Sequence, residues 1–419
     1  MNKNAIILCV DDEQMVLNSL DSQLRKKISG YVFEFAESAE EALEIVADLR
    51  PEDHLAMVIS DQIMPGISGD QLLVDLHQSH PDAVKILLTG QAALESAVNA
   101  INNADLFRYL SKPWDQQDLV LTVEKGLKQY NMHRTLQKQV ETFKKFVPRQ
   151  FLGRIARDGM ENIEVGHAEM DVMSILFADI RSFTPFAETI SPQELLNFLN
   201  AYFRRMNVPI HEQRGFIDKF IGDAVMAVFE RDSGSPASEV FRAVQSALDM
   251  FRVLETYNLH RKQSGYVPIR IGIGVHRGPV IVGTVGSKDR MDSTVIGDTV
   301  NIAARLEGLT KIYGVSLVVS EPVIEEIRSE PSFLFRELDW VCVKGKKAPI
   351  WVYEIFNPDP PEIRDYKLKS KQLMRKGIEA THRQEWDNAI AIFRSLLREC
   401  PQDNAVAYHL QCCESQKNR

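Results

Sequence analysis

The sequence has little cysteine, no long uncharged apolar run and no large excess of one charge. Its five cysteines are odd in number and scattered, so they indicate neither a disulfide framework nor a metal site. No stretch approaches the roughly 18 apolar residues of a membrane-spanning helix, and the apolar run near the start is too short for a signal sequence. Lys and Arg number 49 against 58 Asp and Glu, a balance that disfavours nucleic acid and anionic membranes as partners. We therefore expect a cytoplasmic protein with reduced thiols, without nucleic-acid binding or membrane insertion.

The length and composition predict several folding units. At about 100 to 200 residues per domain, a chain of 419 residues holds more than one domain, and a hydrophobic content of 44% allows each to bury a core. The pattern of apolar runs divides the chain into residues 1–127, 128–165, 166–357 and 366–419. We expect an α/β domain, a linker helix, an α+β domain and a short all-α tail, in this order.

The first segment alternates short apolar runs with amphipathic helical patterns. Strands are predicted at residues 5–10, 32–36, 55–61, 84–90 and 106–112. Helices are predicted at residues 15–24, 39–49, 69–78, 93–101 and 118–130. Five successive strand–helix units predict a doubly wound parallel sheet.

Polar residues stand where these predicted strands end. Asp11 and Asp12 end the first strand, Asp61 the third and Thr89 the fourth, and Lys112 follows the fifth. The carboxyl ends of parallel strands meet in one crevice, so we expect these side chains to converge there. Three carboxylates, a hydroxyl and an ammonium suit a divalent cation and a phosphoryl group.

The motifs VDDE, SDQIMPG, LLTG and YLSKPW occur in this order, and the segment resembles the receiver domain of two-component response regulators. The resemblance implies that Asp61 is the phosphoacceptor. It also implies Mg²⁺ held by Asp12, Asp61 and the carbonyl of Ile63, with Asp11 as an outer-sphere partner. Lys112 would neutralise the charge that Asp61 acquires.

The same resemblance implies a switch and a partner. Thr89 and Tyr109 would be the pair that rearranges on phosphorylation, and a sensor histidine kinase or a phosphotransfer protein would supply the phosphoryl group. The alternative is a receiver-like domain that only dimerises. Every polar residue that phosphorylation needs is present, which favours a receiver that is phosphorylated over one that only dimerises.

The linker is basic and carries a short apolar pattern. Leu136, Val140, Phe143 and Val147 recur at 4-3-4 spacing, which is typical of a coiled-coil seam. Two interpretations stay open: a dimer seam, or a solvated helix docked on one neighbouring domain. The following stretch, residues 144–159, has two interpretations: it transmits a conformational change from the receiver, or it has only a packing role.

The second globular segment has two aspartates at positions suited to metal binding. Asp179 ends a predicted strand, directly before a helix that begins near Phe183 and Thr184. Asp223 follows Gly222 at the tip of a predicted hairpin. Helix-start amides bind phosphate oxygens, and two neighbouring carboxylates suit a two-metal site that activates a hydroxyl and stabilises displaced pyrophosphate.

Four motifs, FADIRSFT, DKFIGDAVMAVF, GIGVHRGPVIVG and VIGDTVNIAARLE, follow one another in this segment. Together they resemble the catalytic domain of class III nucleotide cyclases, which implies an α+β ferredoxin-like fold. The resemblance implies two Mg²⁺ or Mn²⁺ ions held by Asp179, Asp223 and the carbonyl of Ile180. The amides of Phe183 and Thr184 would hold the β- and γ-phosphates.

The resemblance also assigns the nucleotide. Asn301 would orient the ribose, Arg305 would stabilise charge on the α-phosphate, and Gly222 would lie against the substrate. Lys219 and Thr294 would choose the purine: a Lys ammonium suits the N1 acceptor of adenine, and Thr294 can accept from its amino group. This Lys and Thr pair resembles that of a bacterial subclass and implies ATP, whereas the Glu and Cys pair of guanylate cyclases is absent.

One position departs from the family pattern. Pro279 stands where some relatives have a second basic residue, so Arg305 is expected to be the transition-state arginine, with the direction of Arg277 open. Family architecture places each site between two chains, which implies a homodimer. The sequence thus predicts a phosphorylation-regulated adenylate cyclase. The alternatives are a non-catalytic nucleotide-binding signalling scaffold and a guanylate cyclase.

The tail is predicted to form two or three helices with a turn at Pro401, and it resembles a single tetratricopeptide-like helix pair. Its pattern consists of Gly377, Trp386, Ala389, Phe393 and Pro401. One such repeat cannot bury its own apolar face. We therefore expect it to pack on the catalytic domain, on a second copy or on a partner.

Overall fold

A computed structural model of the chain describes residues 4–90, 103–143, 146–156, 159, 162–341 and 349–418. The helix predicted at residues 93–101 and Cys342 lie outside the described residues. The contacts divide the chain into two compact units, which meet in the sequence at Phe146 and Val147 and are described separately. No helix in the described ranges combines the length and the apolar character needed to cross a membrane.

The first unit is a parallel sheet with helices between its strands. Its strands are β1 (Ala5–Val10), β2 (Val32–Ala36), β3 (His54–Asp61), β4 (Val84–Thr89) and β5 (Arg108–Ser111). Its described helices are α1 (Gln14–Leu24), α2 (Ala39–Ala47), α3 (Gly69–Ser79) and α4 (Gln116–Phe143). The strands pair in parallel in the order β2-β1-β3-β4-β5, which confirms the predicted doubly wound sheet.

Helices cover both faces of this sheet, which explains why its strands read as continuous apolar runs. Successive residues of β1 point to opposite faces, and all six are buried. Cys9 packs in the cluster that includes α1 and α4, while Leu8 packs in the cluster that includes α2 and α3. These two helix layers fix the positions of the strand ends and of the predicted acidic residues that stand there.

Helix α4 runs without interruption past residue 127, where the receiver segment was predicted to end. Its first half is anchored by Leu119, Val123 and Leu127, which are buried in the receiver core. In its second half Leu136 and Phe143, two positions of the predicted seam, are exposed within this unit. These two residues are therefore not covered by the receiver, whereas Val147 belongs to the second unit and packs against a core there.

The second unit has a mixed sheet. Its strands are β6 (Ala168–Ile180), β7 (Phe216–Ile221), β8 (Ala224–Phe229), β9 (Ile271–Ser287), β10 (Arg290–Ile296), β11 (Leu317–Ser320), β12 (Phe335–Val341) and β13 (Ile350–Ile355). The order is β12-β13-β11-β9-β6-β8-β7, with β10 paired to β9. Strands β9 and β11 pair in parallel, and the other pairs are antiparallel. This arrangement confirms the predicted α+β class.

The helices of this unit lie on both faces of the sheet. They are α5 (Arg149–Ile155), α6 (Phe183–Ala187), α7 (Pro192–Glu212), α8 (Glu239–Gln263), α9 (Asp298–Tyr313), α10 (Glu321–Ile327), α11 (Pro361–His382), α12 (Trp386–Glu399) and α13 (Asn404–Lys417). Helices α7, α8 and α10 build the core of one face. Helices α5 and α9 pack on the other face, where α9 also contacts the tail.

Two predicted strands at residues 267–278 and 280–286 are one strand in the structure. Strand β9 continues through Gly278 and Pro279, which lie opposite Met173 and Val172 of β6. Proline lacks the amide that a ladder uses, and it is rare inside central strands. The long antiparallel ladder with β6 nevertheless carries the strand past this residue.

The C-terminal tail has three helices, α11, α12 and α13, which agrees with the predicted two or three. Gly377 allows α11 to approach α12 closely, because a Cβ atom there would lie 2.7 Å from the ring of Phe393. The tail then shares one core with α9 through Ile302 and Leu306. The helix that carries the predicted catalytic residues Asn301 and Arg305 is thus supported from behind by the tail.

A buried ionic network fastens the tail to the sheet. Arg336 of β12 donates one hydrogen bond to Glu354 of β13 (2.6 Å) and two to Asp403 before α13 (2.6 and 2.8 Å). Lys367 of α11 lies 2.6 Å from both Glu354 and Asp359. The side chain of Arg336 is fully buried, so its charge depends on these partners.

Replacing Arg336 with methionine is expected to destabilise the second unit by about 3–5 kcal/mol, because it removes the partner of the buried Asp403 and leaves Glu354 with Lys367 alone. Arg375→Met is the matched control: Arg375 is half exposed and pairs with Glu379 one turn away, so its loss should cost about 0–1 kcal/mol. Urea unfolding of both variants measures the difference. Equal losses would contradict the assignment of Arg336 as the fastening residue.

Candidate active sites

The predicted receiver residues converge at the carboxyl edge of the first sheet. Carboxylate oxygens of Asp11, Asp12 and Asp61 all lie within 4.8 Å of one another. The ammonium of Lys112 lies 2.7 Å from Asp11 and 2.8 Å from Asp61. Such a set of oxygen ligands fits Mg²⁺.

Burial sets the electrostatics of this cluster. Asp11 is fully buried, and its burial raises its pKa, while hydrogen bonds from Lys112 and from the amide of Glu13 oppose that rise. Burial disfavours the charge on Lys112, yet its hydrogen bonds to Asp11 and Asp61 hold its pKa above the usual value. Crowded carboxylates favour a bound cation, so the residues fit a divalent ion.

The other predicted receiver residues, Thr89, Tyr109 and Ile63, differ in their exposure to solvent. Thr89 is buried at the end of β4, and its carbonyl accepts a hydrogen bond from the amide of Lys112 (2.7 Å). Tyr109 of β5 has 48% of its surface exposed, and the side chain of Ile63 is 70% exposed. Tyr109 pairs with Leu87, two residues before Thr89 on β4, and its exposure leaves room for the ring to change position.

The second unit brings Asp179 and Asp223 together. Asp179 stands one residue before the end of β6, and Asp223 lies in the two-residue turn between β7 and β8. The preceding Gly222 has a φ of 64°, a conformation that favours glycine. The turn places Asp223 so that it accepts a hydrogen bond from the amide of Ile180 (3.3 Å).

Burial and close approach set the electrostatics of these two carboxylates. Burial, together with the neighbouring carboxylate of Asp179, raises the pKa of Asp223 to about 6. The ammonium of Lys311 on α9 lies 2.5 Å from Asp179 and provides a positive charge in the structure. Two close carboxylates with a compensating cation fit the predicted divalent metals.

Sequence reasoning missed Lys311 and Glu307, which lie four residues apart on α9. Burial raises the pKa of Glu307 to about 7, and its carboxylate lies 3.9 Å from Lys311. Arg181, directly after β6, donates hydrogen bonds to the carbonyls of Thr310 and Val315. The spacing of the charges on α9 was visible, but no sequence signal showed that this face meets Asp179.

Strand β9 carries glycines that let α9 lie directly on the sheet. A Cβ atom on Gly274 would lie 2.2 Å from the amide nitrogen of Glu307, and one on Gly272 would lie 2.2 Å from Thr310. A Cβ atom on Gly278 would lie 2.6 Å from Thr299. The glycines of the motif GIGVHRG therefore set the position of α9.

Asn301 and Arg305 are exposed on α9, one helical turn apart. Asn301 lies ten residues before Lys311, which is about 15 Å along a helix axis. Since Lys311 contacts Asp179, Asn301 is separated along α9 from the aspartates of its own chain. Arg305, six residues before Lys311, is separated by about 9 Å along the same axis.

The structure settles the direction of Arg277. Alternate residues of β9 face opposite sides, and Gly274 and Gly278 face α9. Arg277 points to the other side, where it lies 3.0 Å from Glu239 of α8 and 3.6 Å from Glu326 of α10. Arg277 therefore does not take the place of the basic residue that some relatives have where this chain has Pro279.

The two predicted purine-selecting residues lie close together. Asp218 connects them: it accepts a hydrogen bond from Thr294 (3.0 Å), and the ammonium of Lys219 lies 3.7 Å from the same oxygen. Lys219 also lies 3.3 Å from Asp292, which is largely exposed. Asp218 and Asp292 were not singled out from the sequence.

The predicted phosphate-binding segment begins a short helix. Helix α6 starts at Phe183, immediately after Ser182, whose φ of 56° turns the chain away from β6. The amides of Phe183 and Thr184 thus lie in its first turn, where amides lack partners within a helix. The predicted start of this helix is confirmed.

Comparison with known proteins identifies both domains. The model of the response regulator receiver domain matches residues 7–124, and that of the adenylate and guanylate cyclase catalytic domain matches residues 165–356. An adenylate cyclase of Anabaena cylindrica is 45% identical over 221 residues, 52% of this chain and 44% of that protein. An adenylate cyclase of Dictyostelium discoideum, specific to terminal differentiation, is 34% identical over 272 residues, 64% of this chain and 12% of that protein.

A solved structure of an adenylyl cyclase from P. aeruginosa is 28% identical, covers 45% of this chain and 95% of that chain, and gives a TM-score of 0.41. The chain spans less than half the length of either of these two curated relatives. The two family models assign domains to defined parts of the chain. Residues 7–124 belong to the response regulator receiver family, and residues 165–356 belong to the class III adenylate and guanylate cyclase family.

Proposed function

We propose that this protein is a response-regulator adenylate cyclase that converts ATP to 3′,5′-cyclic AMP and pyrophosphate. The observation that carries the proposal is the meeting of Asp179 and Asp223 at the end of β6 in a chain whose purine-selecting pair is Lys219 and Thr294. The 3′-oxygen of ATP attacks the α-phosphorus, and the bond to the departing pyrophosphate breaks. A nucleotide-binding scaffold would leave the paired aspartates unexplained. A guanylate cyclase would leave the Lys219 and Thr294 pair unexplained.

Asp179, Asp223 and the carbonyl of Ile180 would hold two Mg²⁺ or Mn²⁺ ions. Bound there, the ions would lower the pKa of the attacking hydroxyl and offset charge on the departing pyrophosphate. The amides of Phe183 and Thr184 orient the terminal phosphates, and Gly222 leaves room for them beside Asp223. Such chemistry depends on positioning and electrostatic stabilisation.

The purine side of the site favours ATP. The ammonium of Lys219 can donate to N1 of adenine and opposes the N1–H of guanine. The hydroxyl of Thr294 can accept from the 6-amino group, which guanine lacks. Discrimination of this kind follows from the groups that a wrong base would leave unpaired.

A second copy of the chain would complete each site. Asn301 and Arg305 are separated from Asp179 along α9, so we place them in the site whose aspartates come from the other copy. There Asn301 orients the ribose and Arg305 stabilises the charge that develops on the α-phosphate. A two-fold dimer would contain two equivalent sites, because each chain supplies both halves.

The receiver would regulate this reaction. Asp61 accepts a phosphoryl group from a sensor histidine kinase or a phosphotransfer protein, with Asp12 and the carbonyl of Ile63 as further Mg²⁺ ligands. Lys112 neutralises the added charge, and Thr89 and Tyr109 rearrange in response. The linker, residues 128–165, passes the change to the catalytic domains.

Mixing two inactive variants tests the shared site. Asp223→Ala removes one half of each site and Arg305→Ala the other, so neither homodimer should make cyclic AMP. After co-expression, random mixed dimers should restore about a quarter of the wild-type activity, since half of the dimers keep one intact site. An active wild type without restoration in proven mixed dimers would reject the shared site.

Replacing Gly274 with alanine is expected to lower cyclase activity, because the added Cβ would lie 2.2 Å from the backbone of Glu307 and displace α9 with Asn301 and Arg305. Overpacking should also cost about 1–3 kcal/mol of stability. Gly308→Ala, on α9 itself, is the matched control, since a Cβ there meets nothing within 4 Å. It should keep activity and not lose stability. Steady-state kinetics and thermal unfolding of both variants decide, and full activity of Gly274→Ala would contradict the role of α9.

A further inference from the structure

Asp218 is a buried carboxylate that neither the metal site nor the predicted purine pair uses. Its side chain is fully buried on β7. One oxygen accepts from Thr294, and the other has no hydrogen-bond partner among the described residues. Burial raises the pKa of Asp218 to about 6. A buried acid that is only half satisfied reduces stability, so its presence points to a role at the neighbouring purine site.

The hydrogen bond from Thr294 fixes the direction of its hydroxyl proton. The oxygen of Thr294 lies 3.0 Å from Asp218 and 3.4 Å from the carbonyl of Val295, so the ionised carboxylate is the stronger and closer acceptor. With its single proton committed to Asp218, the hydroxyl presents only lone pairs to a ligand. It can accept a hydrogen bond but not donate one.

From this geometry we infer that Asp218 is a positioning residue for purine selection, which orients Thr294 as an obligate acceptor for the 6-amino group of adenine. The inference rests on the proposed function and adds a specificity determinant to it. A guanine would present its 6-carbonyl to these lone pairs and would leave both acceptors unpaired. The ammonium of Lys219, 3.7 Å from the same carboxylate oxygen, is held beside Thr294 for the N1 position.

The test compares ATP with inosine 5′-triphosphate, which has a carbonyl in place of the 6-amino group, as the ratio of their kcat/KM values at a pH well above 6. In Asp218→Ala the Thr294 hydroxyl is free to donate to that carbonyl, and this ratio should fall about tenfold, the value of one gained hydrogen bond of about 1.4 kcal/mol. Asp218→Asn keeps an oxygen acceptor and should restore most of the ratio. Asp292→Ala removes the exposed acid near Lys219 and should leave the ratio unchanged.

The Thr294→Val variant separates a role of Asp218 in orienting Thr294 from a general structural role. In Thr294→Val the hydroxyl is absent, so adding Asp218→Ala should change the ratio no further. The affinities for the 3′-deoxy forms of both nucleotides, which lack the attacking oxygen, give the same comparison for variants that turn over slowly. An unchanged ratio in Asp218→Ala, or an equal fall in the Thr294→Val background, would overturn the inference. Absence of any cyclic product from the wild type would instead count against the proposed function.

Discussion

Replacement of Asp223 by asparagine is expected to lower cyclic AMP formation by about a thousandfold or more, since the metal-dependent stabilisation that it supports is worth several kcal/mol and each tenfold in rate corresponds to about 1.4 kcal/mol. The amide keeps the shape of the turn after Gly222 but loses the charge. Initial rates with saturating ATP and Mg²⁺ or Mn²⁺ measure the effect.

The stability of this variant should not fall. Burial and the carboxylate of Asp179 raise the pKa of Asp223 in the folded chain, so its ionised form costs stability at pH values above that raised pKa. Asparagine removes this cost. Asp289→Asn is the matched control, because Asp289 is the second residue of the turn between β9 and β10, as Asp223 is of its own turn. Full activity of Asp223→Asn would refute the metal assignment, as would an equal loss in the control.

Replacement of Asp61 by asparagine should abolish phosphoryl transfer to the receiver and leave the basal cyclase rate intact. The carboxylate of Asp61 supplies the attacking oxygen, and it is positioned by Lys112 at 2.8 Å. An amide offers no comparable nucleophile. Incubation with acetyl phosphate followed by intact-mass spectrometry should show one added phosphoryl group in the wild type and none in the variant.

Asp75→Asn controls for the loss of a carboxylate in the same domain. Asp75 lies on α3 and accepts a hydrogen bond from Gln71 (2.8 Å), away from the strand ends. This variant should be phosphorylated like the wild type and keep any change of cyclase rate that the phosphodonor causes. Phosphorylation that persists in Asp61→Asn would place the acceptor elsewhere.

Much of the fold was predictable because its elements carry strong local patterns. The buried parallel strands read as short apolar runs, and the glycine-aspartate turn at Asp223 reads as a hairpin. The strand ends then placed Asp11, Asp12 and Asp61 at one edge, since a parallel sheet allows no other arrangement. Order and type of elements are local properties, so the sequence contains them.

The contacts between elements could not be predicted in the same way. The pairing of Lys311 with Asp179 and of Arg277 with Glu239 depends on which face of β9 meets α9, and only the glycines of β9 decide that. Asp218 escaped notice for a similar reason: its role depends on the distant Thr294, which the sheet brings within 3.0 Å.

The most direct test of the account is one incubation of purified full-length protein with equimolar ATP and GTP and either Mg²⁺ or Mn²⁺, with cyclic AMP and cyclic GMP quantified by mass spectrometry. The account predicts cyclic AMP in large excess, because Lys219 and Thr294 select adenine while Asp179 and Asp223 support the reaction. Predominant cyclic GMP would contradict the purine assignment. No cyclic product from a proven dimer, with and without a phosphodonor, would contradict the proposed enzyme itself.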